Sequence, residues 1–427
     1  MIIRAYRRGD EEEVVELLKM CFDDFNRWGV SAVDWLSYEE GDYGFKIDNA
    51  LVAEVSGRLV GHLHLVIRNA YIGEGSVDIC GIANVSTHPD FRGRGIATAL
   101  VKRAIEVCRE MGLPIVSLLT GYGGEGYRVY RSVGFSNTAF LRAYVGARDS
   151  VEKFLESYGK IRLEVEEVGY GNIDEVAKLH DTLRRKVNLV ISRPRDYWVS
   201  KVLKRFFFYS FFYDRSEEAI KLLFRDSSGP VGYSLAFSGQ RASRNYWQKD
   251  AGVVLEAVAI NEKYLKSVIS ETLRRLLDSG AKVFRLYVPP LYRPILRYSF
   301  EEFKGGLLMD YVIDLEKLLS SMRDELSRRA ASAELRGPMD ISIRSPYGCA
   351  NVNVVDSNVE ISSSCKSENE VEFTRDGIVK TIYGVSSIGK LVNKDQVVRI
   401  NLSSQAFKAV NALFPARPIY IPRMDQW

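Results

Sequence analysis

Long hydrophobic runs, paired cysteines and a strong excess of one charge are all missing from this sequence. No stretch approaches the roughly 20 apolar residues of a membrane-spanning helix, and the aromatic run FFFYSFFY at 206–213 is typical of a buried or interface strand. The N-terminal MIIRAYRRGD carries charge where a signal peptide needs an apolar stretch. The five cysteines form no CxxC pair, which favours reduced thiols and a cytoplasmic location. A net charge of +4 is too small to indicate nucleic acid, so we expect neither a nucleic-acid nor a membrane partner.

The length and composition are those of a globular protein with more than one domain. At 427 residues, with 46% hydrophobic and 27% charged residues, the chain is too long for one compact core. Strand-like runs and amphipathic helices follow one another over 1–148 in the order β-α-β-β-β-α-β-α-β. This order predicts an α+β (α/β) fold.

The order of elements then repeats. LEVEEVGYGNIDEVAKLHDTL echoes IRAYRRGDEEEVVELLKMCF, and GPVGYSLAF echoes GRLVGHLHLV. In the second copy NEKYLKSVIS stands where the first has DFRGRGIATA, so both glycines and both arginines are absent. We infer a duplicated domain whose second copy kept its core and lost a ligand loop.

The C-terminal part of the chain has a different pattern of predicted elements. MDISIRS, CANVNVV, NVEISSS and EVEFTR are short strands with alternating polar and apolar residues, and SSQAFKAVNALFP has helical spacing. The last residues, ARPIYIPRMDQW, have no periodicity but are rich in aromatic and apolar side chains. We expect this tail to be docked on the protein rather than frayed.

The segment HPDFRGRGIATALV, residues 88–101, concentrates glycine and arginine where a helix must begin. Folding alone gives no reason for this, because glycine weakens order and like charges repel. A helix N-terminus offers about four unpaired N–H groups and partial positive charge, and glycines let a ligand approach them closely. We therefore expect a pyrophosphate here. A Rossmann dinucleotide site would place its glycines after the first strand, whereas this loop follows the fourth.

Through this glycine–arginine segment the sequence resembles the GNAT acetyltransferases. VSTHPDFRGRGIATALV is similar to their acetyl-CoA motif R/Q-x-x-G-x-G/A, and VYRSVGF is similar to their later tyrosine-containing turn. Two GNAT-like repeats and a small last domain resemble the enhanced-intracellular-survival (Eis-type) acetyltransferases. The resemblance implies two GNAT-fold mixed sheets flanked by helices and a small sterol-carrier-protein-like α+β domain. The implied boundaries are 1–150, 151–315 and 316–427, with acetyl-CoA bound by the first domain and the active-site tail in the third.

The resemblance also implies roles for individual residues. Tyr130 matches the general acid of the family, and the carboxylate of the C-terminal residue, here Trp427, is the general base of the Eis type. The tail ends in Trp where Phe is expected, but a main-chain carboxylate survives that change. The residues implied to hold acetyl-CoA are Val85, Ser86, Thr87, Arg92, Gly93, Arg94, Gly95, Ile96, Ala97 and Thr120, the last beside a segment, GYGGEG, that looks longer than usual.

The chemistry of acetyl transfer to an amine suits these two groups. An alkyl ammonium has a pKa of about 10 and must lose its proton, while the leaving thiolate must gain one. A tyrosine can donate that proton, and a terminal carboxylate, with a pKa near 3.5, becomes a better base when it is buried. The alternatives are that Tyr130 is a core tyrosine, with Tyr127 the nearest competing candidate, and that Trp427 is an ordinary terminus.

Other polar residues point less clearly to a site. His62 and His64 alternate on one strand face, and without a Cys or acidic partner at ligand spacing they indicate a sheet-face pair; we expect no metal. The acidic residues Asp34, Glu39 and Glu40 lie in a segment that often shapes a GNAT acceptor pocket. They either attract a cationic amine or belong to a solvated loop.

Together these observations predict an acetyl-CoA-dependent N-acetyltransferase that acts on primary amines. Its acceptors would be aminoglycoside-like or polyamine-like small molecules, or lysine side chains. The resemblance further implies a homo-oligomer. The alternative is a non-catalytic binding or scaffold protein in which the sterol-carrier-like domain takes an apolar ligand.

Overall fold

The computed structural model describes residues 1–41, 43, 46–157, 161–204, 219–240 and 248–427. The strand expected at 206–213 lies outside them. The described strands are β1 Ile2–Ala5, β2 Ala50–Val55, β3 Arg58–Ile72, β4 Gly75–Thr87, β5 Ile115–Thr120, β6 Ser136–Ala147, β7 Glu164–Glu167, β8 Val190–Ile191, β9 Ile220–Asp226, β10 Gly229–Ser238, β11 Ala251–Ala259, β12 Val283–Leu286, β13 Glu301–Val312, β14 Met339–Ser345, β15 Gly348–Val355, β16 Asn358–Ser362, β17 Asn369–Phe373 and β18 Val397–Asn401.

Helices connect these strands and cover their faces. The described α-helices are α1 Glu11–Cys21, α2 Asp23–Trp28, α3 Ala32–Gly41, α4 Ile96–Glu110, α5 Glu125–Val133, α6 Arg148–Glu156, α7 Ile173–Asp181, α8 Arg195–Trp198, α9 Glu262–Asp278, α10 Arg293–Leu296, α11 Leu315–Ser320, α12 Arg323–Ser332, α13 Arg375–Ile382, α14 Ile388–Val392 and α15 Ser404–Leu413, with a π-helix at Val199–Lys204. Within the ranges given above, no helix has the length and apolar character needed to cross a membrane.

The first half of the long sheet begins with four antiparallel strands. β1, β2, β3 and β4 pair in that order, and β4 then pairs in parallel with β5. A parallel pair needs a crossover, and α4 supplies it. Its buried face packs on the sheet because apolar residues recur at helical spacing; the buried residues are Ile96, Leu100, Val101, Ala104, Ile105 and Cys108.

The second half of the sheet repeats this plan. β7, β9, β10 and β11 are antiparallel neighbours, and β11 pairs in parallel with β12 through the crossover helix α9. The repeated element order in the sequence is thus matched by a repeated order of strands.

The two halves exchange their last strands. β13 pairs with β5, β6 pairs with β12, and β6 and β13 pair with each other. With β8 on β3, thirteen of the described strands form one continuous sheet, whereas the sequence led us to expect a separate sheet for each copy. Each copy thus contributes its last strand to the sheet of the other copy. The exchange is favourable because the edges of β5 and β12, which would otherwise be exposed, become paired. The boundaries 1–150 and 151–315 remain predictions.

A smaller sheet follows the long one. Its order is β16-β15-β14-β17-β18, with β14 and β17 parallel and the other neighbours antiparallel. Its apolar face packs with α11 to α15 in a core that also includes residues of the long sheet such as Ile79 and Leu308. The smaller sheet and helices α11 to α15 thus pack in an α+β arrangement. The boundary at 316 and the likeness to sterol-carrier proteins remain predictions.

The expectation of reduced thiols is wrong for four of the five cysteines. Cys80 of β4 is bonded to Cys108 of α4, and Cys349 of β15 is bonded to Cys365. The paired Cα atoms lie 6.5 and 6.4 Å apart. These pairs were not visible in the sequence because the crossover and the sheet, rather than a short spacing, bring the residues together. Cys21 is a free thiol.

Candidate functional site

The carboxyl-terminal ends of the neighbouring parallel strands β4 and β5 separate in the interior of the long sheet. Their parallel register runs from the pair Ile79 and Ile115 to the pair Ile82 and Leu118, yet β4 continues to Thr87. A β-bulge lies at the point of separation, because β4 has one more residue than β3 between two successive paired positions. Asn84, within this bulge, has a φ of +55°. Bulges bend a strand and increase its twist, so the two strand ends leave a gap between them.

A cavity of about 770 Å³ occupies this gap, and we call it the strand-end cavity. Its lining comes from the ends of β4 and β5, the beginning of α4, helix α5 and the C-terminal tail. The predicted site residues that line it are Val85, Ser86, Thr87, Arg92, Gly93, Gly95, Ile96, Ala97, Thr120, Tyr130 and Trp427. Arg94 is not among them: its guanidinium donates to the carbonyl of Asp90 at 3.1 Å and lies over the ring of Phe91.

The glycine–arginine loop presents its backbone to this cavity. Gly93 and Gly95 have φ angles of +74° and +78°, a region that L side chains rarely adopt, and a Cβ at either would meet no atom within 4 Å. The first turn of α4 lines the cavity with N–H groups that have no partner within the helix. Arg92 has no ion pair with any residue in the described part of the chain. The loop therefore fits a diphosphate.

Tyr130 reaches the cavity from α5. Its side chain is 8% exposed, and burial raises the pKa of its hydroxyl to about 12. Gly126 leaves room beside it, since a Cβ there would lie 3.6 Å from the Tyr130 hydroxyl and 3.5 Å from Oγ1 of Thr120. Tyr127 accepts a hydrogen bond from Asn137 at 3.1 Å and does not line the cavity. The structure thus separates the two tyrosines that the sequence left in competition.

The C-terminal tail closes one side of the cavity. Asn188 donates its N–H to the carbonyl of Pro418 and accepts from the N–H of Tyr420, both at 2.8 Å, so this stretch runs like a strand. The indole of Trp427 lies on Gly81, where a Cβ would come within 2.6 Å of the ring. The tail is docked, as the sequence predicts, and its last residue lines the strand-end cavity.

A buried ionic cluster, which no sequence pattern predicts, fixes this tail. Arg193 donates to Asp425 from Nη2 at 2.7 Å and to Glu256 from Nη1 and Nη2 at 3.0 and 2.6 Å. All three side chains are fully buried. Tyr197 donates to Asp425 and Tyr233 to Glu256. Burial by itself raises the pKa of Glu256, but the charge of Arg193 and the hydrogen bond of His180 together outweigh it, and the net pKa is lowered. The signal available in the sequence was one acid two residues from the end.

Of the remaining candidates, His62, His64 and Asp34 are not among the described residues that line the strand-end cavity. His62 and His64 are fully buried, and burial lowers the pKa of His62 to about 3, so its ring is neutral. In the described ranges no group of three or more His, Cys, Asp or Glu could hold a metal. Asp34 accepts hydrogen bonds from the N–H and hydroxyl of Ser31. The side chains of Glu39 and Glu40 lie outside the described residues.

Comparisons with known proteins decide the family. Residues 2–138 match the model of the acetyltransferase (GNAT) domain. An acetyltransferase of Sodalis glossinidius is 36% identical over 120 residues, which are 28% of this chain and 75% of that protein. The chain belongs to the GNAT acetyltransferases. It is therefore an enzyme that transfers acetyl groups.

Another sequence relative and two solved structures are also similar to this GNAT acetyltransferase. An uncharacterized N-acetyltransferase of Methanocaldococcus jannaschii is 28% identical over 151 residues, 34% of this chain, and the match spans 64% of its length. Two solved structures have similar folds over the whole chain. A GCN5-related N-acetyltransferase of Anabaena variabilis has a TM-score of 0.71 at 15% identity, covering 100% of both chains. Eis1 of Mycobacterium abscessus has a TM-score of 0.61 at 16% identity, covering 98% of this chain and 99% of its own. At these identities the likeness concerns the fold alone.

Proposed function

We propose that this GNAT acetyltransferase uses acetyl-CoA to acetylate primary amines, either small molecules or lysine side chains. One observation carries the proposal: a single cavity is lined by the glycine–arginine loop, Tyr130 and the C-terminal residue. Family membership argues against the alternative of a non-catalytic scaffold. The homo-oligomer and the three domains belong to the proposal as well. So does the cytoplasmic location, which follows from the proposed use of acetyl-CoA and no longer from reduced thiols, since four of the five cysteines are paired.

The proposed acetyl-CoA site uses the first half of the chain. Main-chain N–H groups of Gly95, Ile96 and Ala97, with the guanidinium of Arg92, would hold the diphosphate. The bulged end of β4, Val85 to Thr87, offers edge backbone groups to the pantetheine arm. When bound, acetyl-CoA supplies an acetyl group that is activated as a thioester.

Tyr130 is the proposed general acid. Because its hydroxyl lies in a desolvated wall, its raised pKa keeps the proton in place at neutral pH. Among the described residues the hydroxyl has no hydrogen-bond partner, so it can donate to a leaving sulfur. The thiol that forms has a pKa near 8.5, below that of Tyr130, so the catalytic contribution is the hydrogen bond by which a closely placed donor stabilises the thiolate as charge develops.

The carboxylate of Trp427 is the proposed general base. A terminal carboxylate is mobile unless its chain is held, and here Asp425, two residues earlier, is bound by Arg193 in the core. Arg193 is therefore a positioning residue in this proposal, since it contacts the tail and not the substrates. The indole on Gly81 fixes the other side of the residue.

The proposal is tested by titrating acetyl-CoA calorimetrically and by measuring free-thiol release over a panel of amines. We expect micromolar binding, weakened about tenfold in Arg92→Gln because a charge-assisted bond is lost. Arg103→Gln is the matched control: it lies on α4, the helix that follows the loop of Arg92, but its guanidinium pairs with Glu106 and Glu110 away from the cavity. Absence of acetyl-CoA binding in the wild type would refute the proposed co-substrate.

A further inference from the structure

A second cavity, of about 790 Å³, lies on the other side of the tail, and we call it the tail cavity. Its walls are β6, the bulged part of β13 at Gly305 and Gly306, and the tail from 416 to 421. It shares Arg423 and Gln426 with the strand-end cavity. The residue that follows Gln426 is Trp427, so the tail cavity borders the place where the proposed base stands.

The charged residues of the tail cavity have one sign. Arg142, Lys394, Arg417 and Arg423 line it, and no Asp or Glu is among its described lining residues. Arg142 is compensated by Glu302 at 2.7 Å, and Arg423 donates to Gln426 at 2.6 Å and lies over the ring of Tyr287. Within the described part of the chain, Lys394 and Arg417 form no ion pair. Two cations without a counter-charge thus face a cavity.

The rest of the lining suits an apolar ligand body. Phe303, Ile419 and Ile421 contribute aromatic and aliphatic surface. The hydroxyl of Tyr420 donates to the carbonyl of Tyr287 at 3.0 Å, so this ring presents its apolar face without an unsatisfied polar group. A volume near 800 Å³ lies in the range of small-molecule sites, which are mostly apolar with a few placed charges.

We infer that the tail cavity binds the acceptor through an anionic group. The acceptor would be a primary amine with an apolar body and a carboxylate or phosphate at the end remote from the nitrogen. Lys394 and Arg417 would bind the anion, and the amine would point past Gln426 toward Trp427. This inference deepens the proposed function and rests on it. Because like charges repel, the same two cations disfavour polyamines and aminoglycosides, which carry only positive groups.

Three amines of equal chain length test the inference directly. 6-Aminohexanoate, hexylamine and 1,6-diaminohexane differ only in the remote group, which is anionic, neutral or cationic; 6-aminohexyl phosphate distinguishes phosphate from carboxylate. We expect kcat/KM at least about tenfold higher for the anionic amines than for hexylamine, and lowest for the diamine. Equal values for the anionic and neutral amines would overturn the inference, even if acetyl transfer itself is established.

Substitutions of the two cations test whether they cause the preference for an anionic amine. Arg417→Gln and Lys394→Gln should each remove most of the preference for the anionic amine while leaving kcat/KM for hexylamine within about twofold. Arg417→Glu should invert the order and favour the diamine. Lys390→Gln is the matched control, an exposed lysine on α14 that does not line the cavity. Equal losses for all three amines would contradict a charge-reading role.

A binding measurement separates this inference from the proposed function. Titration of N-acetyl-6-aminohexanoate, the product of the test reaction, needs no turnover. We expect binding that weakens about tenfold in Arg417→Gln and not in Lys390→Gln. Binding of this anion without any acetyl transfer would refute the proposed function and leave the anion site standing. Transfer without such binding would refute the anion site.

Discussion

The two halves of the long sheet share one plan but differ where the crossover helix begins. In the first half, β4 ends at Thr87 and α4 begins at Ile96, so a loop of eight residues, 88–95, lies between them. In the second half, β11 ends at Ala259 and α9 begins at Glu262, which leaves two residues. Asn261 caps α9 by accepting from the N–H of Tyr264 at 3.2 Å. The first helix start is open to a ligand, and the second is closed by its own chain.

The strand ends differ in the same way. Both β4 and β11 have a bulge with one extra residue; β4 lines the strand-end cavity, whereas no described residue of β11 lines that cavity or the tail cavity. Beside the bulge of β11, Glu256 is paired with Arg193, which holds Asp425 of the tail. The second half therefore anchors the tail whose last residue lines the cavity of the first. A duplicated scaffold can thus divide its tasks by changing one loop and a few side chains.

The helix after the fifth strand supplies the strongest test of this comparison. YRVYRSVGF at 127–135 and YRPILRYSF at 292–300 stand at the same spacing before β6 and β13, so Tyr130 corresponds to Ile295. Tyr130→Phe should lower kcat by about a thousandfold, because a general acid contributes 10²- to 10⁴-fold, with little change in acetyl-CoA affinity. Steady-state kinetics and calorimetry measure both quantities.

Tyr127→Phe is the control, since that hydroxyl is bonded to Asn137 outside the cavity. If Tyr130→Phe lowers acetyl-CoA affinity and kcat equally, Tyr130 is not the general acid. The Tyr130 and Ile295 positions would then not differ in catalytic role.

The second test concerns the tail that links the halves. Adding one Gly after Trp427 moves the terminal carboxylate but keeps the indole and the bonds of Asp425 to Arg193. We expect kcat to fall about a hundredfold, since the proposed base is displaced, while the melting temperature stays the same. Trp427→Phe keeps a carboxylate at the same main-chain position and should retain most of the activity. Full activity of the extended protein would rule out a main-chain carboxylate as the base.

A third test compares two buried carboxylates. Glu256 lies on β11 of the second half, and Asp310 lies on β13, the exchanged strand that pairs with β5 of the first half. Glu256 is paired with Arg193, whereas Asp310 of β13 accepts hydrogen bonds only from Ser117, Thr138 and Tyr383 among the described residues. Burial raises the pKa of Asp310 from 3.8 to about 6. The folded state then holds this proton more tightly than the unfolded state, so the free energy of unfolding falls as pH rises from about 4 to 6. The loss should approach 2 to 3 kcal/mol, by the relation of pKa shift to stability.

Asp310→Asn removes this titration, so the variant should lack the fall and be the more stable protein at pH 7. Urea unfolding at pH 4, 5, 6 and 7 measures the effect. Asp278→Asn, an exposed acid at the end of α9, serves as the control and should change nothing. An unchanged pH dependence in Asp310→Asn would show that the buried carboxyl does not titrate in this window.

The smallest expected effect comes from the loop itself. Gly95→Ala places a Cβ at a φ of +78° and toward the proposed diphosphate, and acetyl-CoA affinity should fall about tenfold with kcat nearly unchanged. Gly337→Ala has the same kind of backbone strain, at a φ of +82°, away from the cavity. It should lower stability without lowering affinity. If both variants bind acetyl-CoA as tightly as the wild type does, the loop at 88–95 does not explain why the first half, and not the second, binds acetyl-CoA.

The sequence by itself determined the local features of this protein. The repeated element order, the opened helix start at 88–101 and the docked tail could be predicted, because each depends on residues close together in the chain. Tyr130 and Trp427 became candidates through the resemblance to the GNAT acetyltransferases. Tertiary structure decided the rest. The exchange of β6 and β13, the two disulfides, the cluster of Arg193, Glu256 and Asp425, and the tail cavity all join segments far apart in sequence. Their partners are chosen by strand pairing and by the cost of burying a lone charge, and neither leaves a periodic pattern in the chain.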